Sequence, residues 1–274
     1  MRILPFMNVN RNAFEQHPYH LVNPSPWPLY TSISLGNCAL SFLLYFNYYK
    51  NSTFYVLLSL FVFTFFLMRW FTDVVVESTF EGFHTRAVQN GIRFGFILFI
   101  LSEVMFFSSF FWAFLHCSLN ASIDIGSIWP PKQIITLDPW SLPLVNTIIL
   151  LSSGVTITWS HKAIIDNNRG AVLFGIAATI GYGLIFSLIQ YYEYLEAPFN
   201  INDSIYGSLF FMLTGFHGAH VFVGSVFLII CFFRQVSYHF LAKQHIGFEC
   251  AIYYWHFVDV VWLFLFLLVY IWGN

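Results

Sequence analysis

Seven stretches of the chain, residues 29–49, 54–76, 94–115, 142–160, 171–192, 204–233 and 247–272, are almost continuously apolar. Crossing about 30 Å of hydrocarbon takes roughly 20 helical residues, and each stretch meets that length. Inside a bilayer no water satisfies backbone N–H and C=O groups, and an apolar run of this length meets that demand as a helix. The expected fold class is therefore an all-α integral membrane protein with seven transmembrane helices. Composition agrees: charged residues are 9% of the 274, against about a quarter in soluble domains. Aromatic residues reach 22%, and Trp and Tyr favour membrane interfaces as well as helix contacts.

Basic residues orient the chain. With seven crossings, Arg2, Arg11, Arg69, Arg86, Arg93, Lys162, Arg169, Arg234 and Lys243 share the N-terminal side, and only Lys50 and Lys132 fall opposite. Nine against two predicts an N-terminus facing cytoplasm or matrix, and a different helix count would scramble the bias. The second segment carries Arg69 and Asp73 at i,i+4, where they can pair on one face, and it is expected to run past the bilayer boundary as a helix. Between the third and fourth segments a loop holds Trp129, Pro130, Pro131 and Asp138-Pro139, residues suited to turns rather than helix interiors. Net charge is −2 and the basic residues are scattered, so nucleic acid is not an expected partner. Cys38, Cys117, Cys231 and Cys250 make no C-x-x-C pair and read as packing residues. The first 28 residues match neither a signal peptide nor an Arg-rich transit pattern, so insertion is expected to use the internal segments. No internal repeat is evident, which removes support for a transporter built from inverted halves.

Ionisable groups within a bilayer are functional candidates. Glu103 lies about 14 Å into the third segment at 1.5 Å per residue, near the middle of the hydrocarbon layer. It reads either as a proton-exchanging carboxyl or as a protonated acid bonded to a neighbouring helix. His217 and His220 share one face of the sixth segment, as do His256 and Asp259 of the seventh. With Glu103 or Glu249 these could ligate a metal, but the two Glu-x-x-His pairs of a di-iron bundle are absent. A structural polar network of His217, His220, His256 and Asp259 is preferred, with no metal, because Gly218 allows close helix approach. Arg69, Trp70, Asp73, Glu77, Glu81, His84, Arg86 and Arg93 cluster around the end of the second segment and the loop after it. Such a mixture can receive the amine and phosphate of a lipid headgroup or act as ordinary solvated interface. Arg234 and His239 offer a second basic contact for an anionic lipid.

Particular strings resemble one family, cytochrome c oxidase subunit III of the mitochondrial type. They include His17-Pro18-Tyr19-His20-Leu21-Val22-Asn23-Pro24-Ser25-Pro26-Trp27-Pro28, Glu77-Ser78-Thr79-Phe80-Glu81-Gly82-Phe83-His84-Thr85 and Ser102-Glu103-Val104-Met105-Phe106-Phe107. Phe111-Trp112-Ala113-Phe114, Trp129-Pro130-Pro131, Ser153-Gly154-Val155-Thr156-Ile157-Thr158-Trp159, Glu196-Ala197-Pro198-Phe199 and Thr214-Gly215-Phe216-His217-Gly218-Ala219-His220-Val221 follow in order. The most specific is Tyr254-Trp255-His256-Phe257-Val258-Asp259-Val260-Val261-Trp262-Leu263-Phe264. The resemblance implies a two-plus-five arrangement of helices with a V-shaped, lipid-filled cleft, and one domain over 16–274 after an N-terminal extension over 1–15. It implies no catalytic, cofactor-binding or metal residue in this chain: haem a, haem a3 and copper would belong to partner subunits, among them subunits I and II and other subunits of complex IV. It implies lipid contacts at Trp70, Glu77, His84, Arg234 and His239, with phosphatidylethanolamine, phosphatidylglycerol and cardiolipin as the expected lipids. It makes Glu103 the carbodiimide-reactive membrane carboxyl. The expected role is to support assembly, stability and sustained proton uptake of an enzyme that reduces oxygen with electrons from cytochrome c, in the mitochondrial inner membrane, with the N-terminus in the matrix and the C-terminus in the intermembrane space. The lipid-filled cleft is a candidate route for oxygen.

The chain departs from the family pattern in its extension and at Glu81 and Phe83, where many animal relatives have Gln and His. Two rival functions fit the residues less well. A self-standing proton transporter relaying through Glu103, His217, His256 and Asp259 would need a continuous polar face. A desaturase-like metalloenzyme would need several histidine boxes, whereas here only His-x-x-His and His-x-x-Asp occur.

Overall fold

Each apolar run becomes a helix: α1 (Trp27–Phe46), α2 (Ser52–Thr79), α3 (Arg86–Leu119), α4 (Leu142–Ile165), α5 (Arg169–Glu196), α6 (Ile205–Val236) and α7 (Ile246–Leu265), with α7 continuing as a π-helical turn over Phe266–Ile271. The structure, a computed structural model, describes residues 17–123, 126–132 and 134–274. The 1–15 extension, with Arg2 and Arg11, lies outside the described residues. All seven helices are long and apolar enough to cross a membrane, with mean hydropathies between 1.3 and 2.2. The protein is a multi-pass helical membrane protein.

The helices outrun several of the apolar stretches. α3 begins at Arg86 rather than 94, because Arg86, Gln89, Asn90 and Arg93 add nothing to hydropathy yet sustain a helix beyond the bilayer. Thr85 caps it: its carbonyl accepts from the Gln89 N–H at 2.9 Å and its hydroxyl from the Val88 N–H at 3.4 Å. α1 stops at Phe46, short of 49, where the chain reverses through left-handed Tyr48 (φ 56°) and Asn51 (φ 61°).

The chain divides into a unit of residues 1–92 and a unit of residues 93–274. In the first, α1 and α2 form a hairpin. Thr31, Ser34, Cys38 and Ser41 are the buried residues of α1, a stripe of small side chains at helical spacing. The Ser41 hydroxyl meets that of Ser59 on α2 at 2.9 Å. In lipid no hydrophobic force drives helices together, so such a stripe works by letting backbones approach.

The second unit is built around α7, 61% of whose apolar window is buried, against 33% for α4, α5 and α6. Trp255 and Trp262 are fully buried, two turns apart on one face. Their indole N–H groups donate to Ser153 Oγ at 2.8 Å and Thr147 Oγ1 at 2.9 Å, both on α4. Gly183 of α5 and Gly224 of α6 leave room for the Trp255 ring, since a Cβ on either would sit 2.8 and 3.0 Å from it. α4 and α5 meet where Gly175 lies against Ser160 and the Thr156 and Thr179 hydroxyls touch at 2.8 Å. The four cysteines are free thiols, with Cys38, Cys231 and Cys250 buried.

One end of this unit gathers basic side chains. Arg169 donates to the Val236 carbonyl at 2.7 Å, also donates to the Tyr238 hydroxyl, and lies 3.6 Å over the Tyr238 ring. Arg234 lies 4.4 Å over Phe240. At the other end Trp129, after which the Pro130 peptide is cis, packs on Phe114 and Tyr206, and Thr136 bonds to Asn274.

Candidate functional site: polar groups within and beside the membrane

In the first unit, the end of α2 carries the mixed cluster anticipated for a headgroup. Arg69 and Asp73 do not pair directly. The Trp27 indole N–H reaches Asp73 Oδ2 at 2.6 Å first, and Arg69 instead lies 5.5 Å over the Trp27 ring, within cation–π range. The Trp thus joins the two charges and clamps the start of α1 to α2. Beyond it, donor atoms of His20, Glu77 and His84 lie within 4.8 Å of one another. His20 stacks on Phe83 with ring centroids 4.7 Å apart. Trp70 is exposed on the same helix. This places a carboxylate and two imidazoles together at one end of the hairpin, with the Trp70 indole two turns back along α2, a set able to hold both charges of a zwitterion. His20 was not singled out from sequence; its position in a Pro-rich string, 57 residues before Glu77, gave no periodic signal.

In the second unit, Glu103 is partnered. His220 Nε2 lies 2.9 Å from Glu103 Oε2, and His220 Nδ1 lies 2.7 Å from the Phe216 carbonyl. A carbonyl only accepts, so Nδ1 carries a hydrogen. One further proton therefore sits between Nε2 and the carboxyl, either as an O–H···N bond or as an imidazolium–carboxylate pair. Phe106, Phe107, Tyr254 and Phe257 ring the histidine at centroid distances of 5.0 to 6.3 Å. The pair ties α3 to α6 in apolar surroundings. Its two members are 117 positions apart, so spacing alone could find each residue but not the bond.

The remaining mid-membrane groups do not converge. His256 Nε2 meets Thr158 Oγ1 at 3.2 Å, and its Nδ1 is 3.7 Å from Asp259 Oδ2, too long for a hydrogen bond. Asp259 presses on Gly154, where a Cβ would come within 2.9 Å of Oδ2. His217, one turn from His220, is buried between Phe186 and Trp262, and among the described residues neither ring nitrogen has a hydrogen-bond partner. His220 thus faces α3, His256 and Asp259 face α4, and His217 lies among rings, so the four do not form one ligand shell.

Arg234 and His239 adjoin at the end of α6, where the His239 N–H donates to the Arg234 carbonyl at 2.9 Å. Burial, and secondarily the Arg234 guanidinium, hold the His239 imidazole below its usual pKa. Glu249 does not reach the mid-membrane histidines. Its Oε2 accepts from Arg93 Nε at 2.9 Å and Nη2 at 2.7 Å, bracing α7 against α3. A further polar group escaped sequence reading: Glu193 is 2% exposed and accepts from the Tyr270 hydroxyl at 2.6 Å. An acid in the middle of Tyr191-Tyr192-Glu193-Tyr194 was the available hint.

A family model described as Cytochrome c oxidase subunit III matches residues 17–274. Among curated proteins, the chain is 50% identical over 262 residues to "Cytochrome c oxidase subunit 3" of Chondrus crispus, covering 96% of each chain. It is 51% identical over 260 residues to the protein of the same name from Marchantia polymorpha, covering 95% of this chain and 98% of the relative. With the protein so named from Pelomedusa subrufa it shares 50% identity over 258 residues, covering 94% and 98%. A match running from His17 through the last helix takes in all seven described helices, with both Glu103 and the buried tryptophans of α7: the chain belongs to the cytochrome c oxidase subunit III family.

Proposed function

We propose that this chain is a non-redox core subunit of a cytochrome c oxidase, packed against subunits I and II in the mitochondrial inner membrane, where it supports assembly, stability and sustained proton uptake of the oxygen-reducing enzyme. The observation that carries this reading is the family match over residues 17–274. Haem a, haem a3 and copper belong, on this reading, to the partner chains. The disposition of the histidines supports that division: His220 is engaged by Glu103 and a carbonyl, His256 by Thr158, and His217 is walled by aromatic rings. The basic end of the five-helix unit supports a matrix-facing N-terminus, since Arg93, Lys162, Arg169, Arg234 and Lys243 collect at the terminus of the membrane segments where the positive-inside rule wants them.

Bound phospholipid is the expected small-molecule partner. Trp70, Glu77 and His84 in the first unit, and Arg234 and His239 in the second, carry the chemistry to hold headgroups of phosphatidylethanolamine, phosphatidylglycerol or cardiolipin. The Glu103–His220 pair acts as an interhelical tie that holds one proton.

The test is purification through a tag on this chain in mild detergent, with reduced-minus-oxidised spectra and identification of co-purifying chains and lipids. Haem a and copper should arrive with two larger subunits and leave when this chain is stripped away. A colourless preparation that moves protons alone would overturn the proposal.

A further inference from the structure

At the basic end of the five-helix unit a second group of side chains converges, apart from the lipid candidates and the mid-membrane pair. His161 stands on the last turns of α4, His245 immediately before α7, and Glu249 in the first turn of α7. One donor atom from each lies within 4.8 Å of the others. His245 Nε2 is 3.5 Å from Glu249 Oε1, and the His161 and His245 rings meet edge to face at 5.5 Å.

The orientation of His245 is set from behind. Its Nδ1 lies 2.9 Å from the Leu241 carbonyl, so Nδ1 carries the hydrogen and Nε2 turns its lone pair toward Glu249. Metal-binding histidines are commonly held this way, one ring nitrogen donating to a carbonyl while the other faces the ion. Glu249 is held similarly: Oε2 accepts from Arg93 Nε and Nη2, and Oε1 lies toward His245. Two lone pairs then face each other across 3.5 Å, and a proton could join them. A proton links only two atoms, however, and a ring nitrogen of His161 also lies within 4.8 Å of both.

We propose that His161, His245 and Glu249 form a binding site for a divalent transition-metal ion of the zinc type. Two imidazole nitrogens and one carboxylate oxygen are a borderline-soft donor set that suits zinc, whereas calcium and magnesium require six or more oxygens or near-complete hydration. Tetrahedral zinc, with bonds of about 2.0–2.2 Å, separates neighbouring donors by roughly 3.3 Å. The His245–Glu249 edge already has that spacing, and a modest side-chain rotation closes the His161 edges. The fourth position is left for water. His245 is 6% exposed and His161 half-buried, so the ion enters from the His161 side. Occupancy would pin the end of α4 to the start of α7 and, through Glu249 and Arg93, to α3. Sequence reading missed the site because His245-x-x-x-Glu249 supplies only two ligands and His161 is 84 positions earlier.

This inference does not rest on the proposed function, since its readout is metal and not turnover. The full chain, purified with its partner chains and freed of metal by chelation, is dialysed against micromolar ZnCl2. Bound zinc per chain is then compared with His161→Gln and His245→Gln. The wild type should hold one zinc more than either variant, and each variant should bind it more than about 100-fold less tightly, since even the loss of an outer partner weakens metal sites about 10–100-fold. Should His245→Gln disturb folding, zinc-edge anomalous scattering from the zinc-loaded wild type gives an answer that needs no variant. A peak bounded by the three side chains supports the site. No peak there at saturating zinc, or equal zinc in wild type and a folded His161→Gln, overturns it.

Discussion

None of the apolar window of α2 is buried, whereas 61% of that of α7 is. The two helices have the same mean hydropathy, 1.9, so hydrophobicity does not distinguish a helix at a unit's centre from one at its outside. What differs is the shape and polarity of the contact face. α7 offers Trp255 and Trp262, each with an N–H that finds a hydroxyl, and faces glycines that admit the rings. The α1–α2 hairpin offers a stripe of Thr, Ser and Cys and clamps its end with Trp27, Asp73 and Arg69. In lipid, where apolar burial gives no net drive, packing and interhelical hydrogen bonds decide association. The five-helix unit is therefore held from its interior, and the hairpin by its end and one thin seam.

The sharpest way to break that contrast is at Trp255. Trp255→Ala empties a site closed on α4, α5 and α6 at once, and large-to-small changes of this kind cost about 3–5 kcal/mol. The midpoint of thermal unfolding, followed in the purified protein, should fall further than for any single change in the hairpin. Equal losses from a change at the α1–α2 seam would mean that both units are held alike.

Next in size comes Glu103. Glu103→Leu leaves His220 Nε2 facing hydrocarbon with no partner, an unsatisfied group worth about 1–3 kcal/mol. Glu103→Gln keeps an N–H able to donate to that nitrogen and should lose clearly less. If Leu and Gln are equally tolerated in thermal unfolding, the pair is not an interhelical tie.

The helices and their number were legible because a membrane segment advertises itself by length alone. So was the candidacy of Glu103 and His220, since a charged or imidazole side chain stands out in an apolar run. Their bond was not legible, because helical spacing relates residues three or four apart and says nothing across 117 positions. Arg69 and Asp73 show the reverse failure. Their i,i+4 spacing suggested a local pair, but a distant indole competes for the carboxylate. The start of α3 was hidden for a third reason: Arg86 to Arg93 is polar helix beyond the hydrocarbon, where hydropathy carries no signal.

Trp27→Phe tests the clamp. It keeps a ring under Arg69 while removing the donor to Asp73, which sits where water can partly replace the bond. A net loss of about 1 kcal/mol is expected. The hairpin's end should loosen without change in the other unit, visible as faster amide exchange in residues 17–27 and none around Trp255. Faster exchange spread through α4 to α7 would contradict the division.

The smallest effect belongs to Ser41. Its hydroxyl meets Ser59 across the seam but also donates to the Asn37 carbonyl within its own helix at 2.5 Å. Ser41→Ala therefore removes one interhelical contact while keeping a small side chain, so α1 and α2 can approach as before. Interhelical polar contacts in membranes average about 0.6 kcal/mol, and the midpoint of thermal unfolding should hardly move. Ser41→Leu makes the opposite change, wedging a large side chain into the stripe, and should separate the helices although it adds apolar surface. If Ala destabilises and Leu does not, the seam depends on its hydroxyls rather than on small size, and the account of the hairpin as a close-approach contact fails.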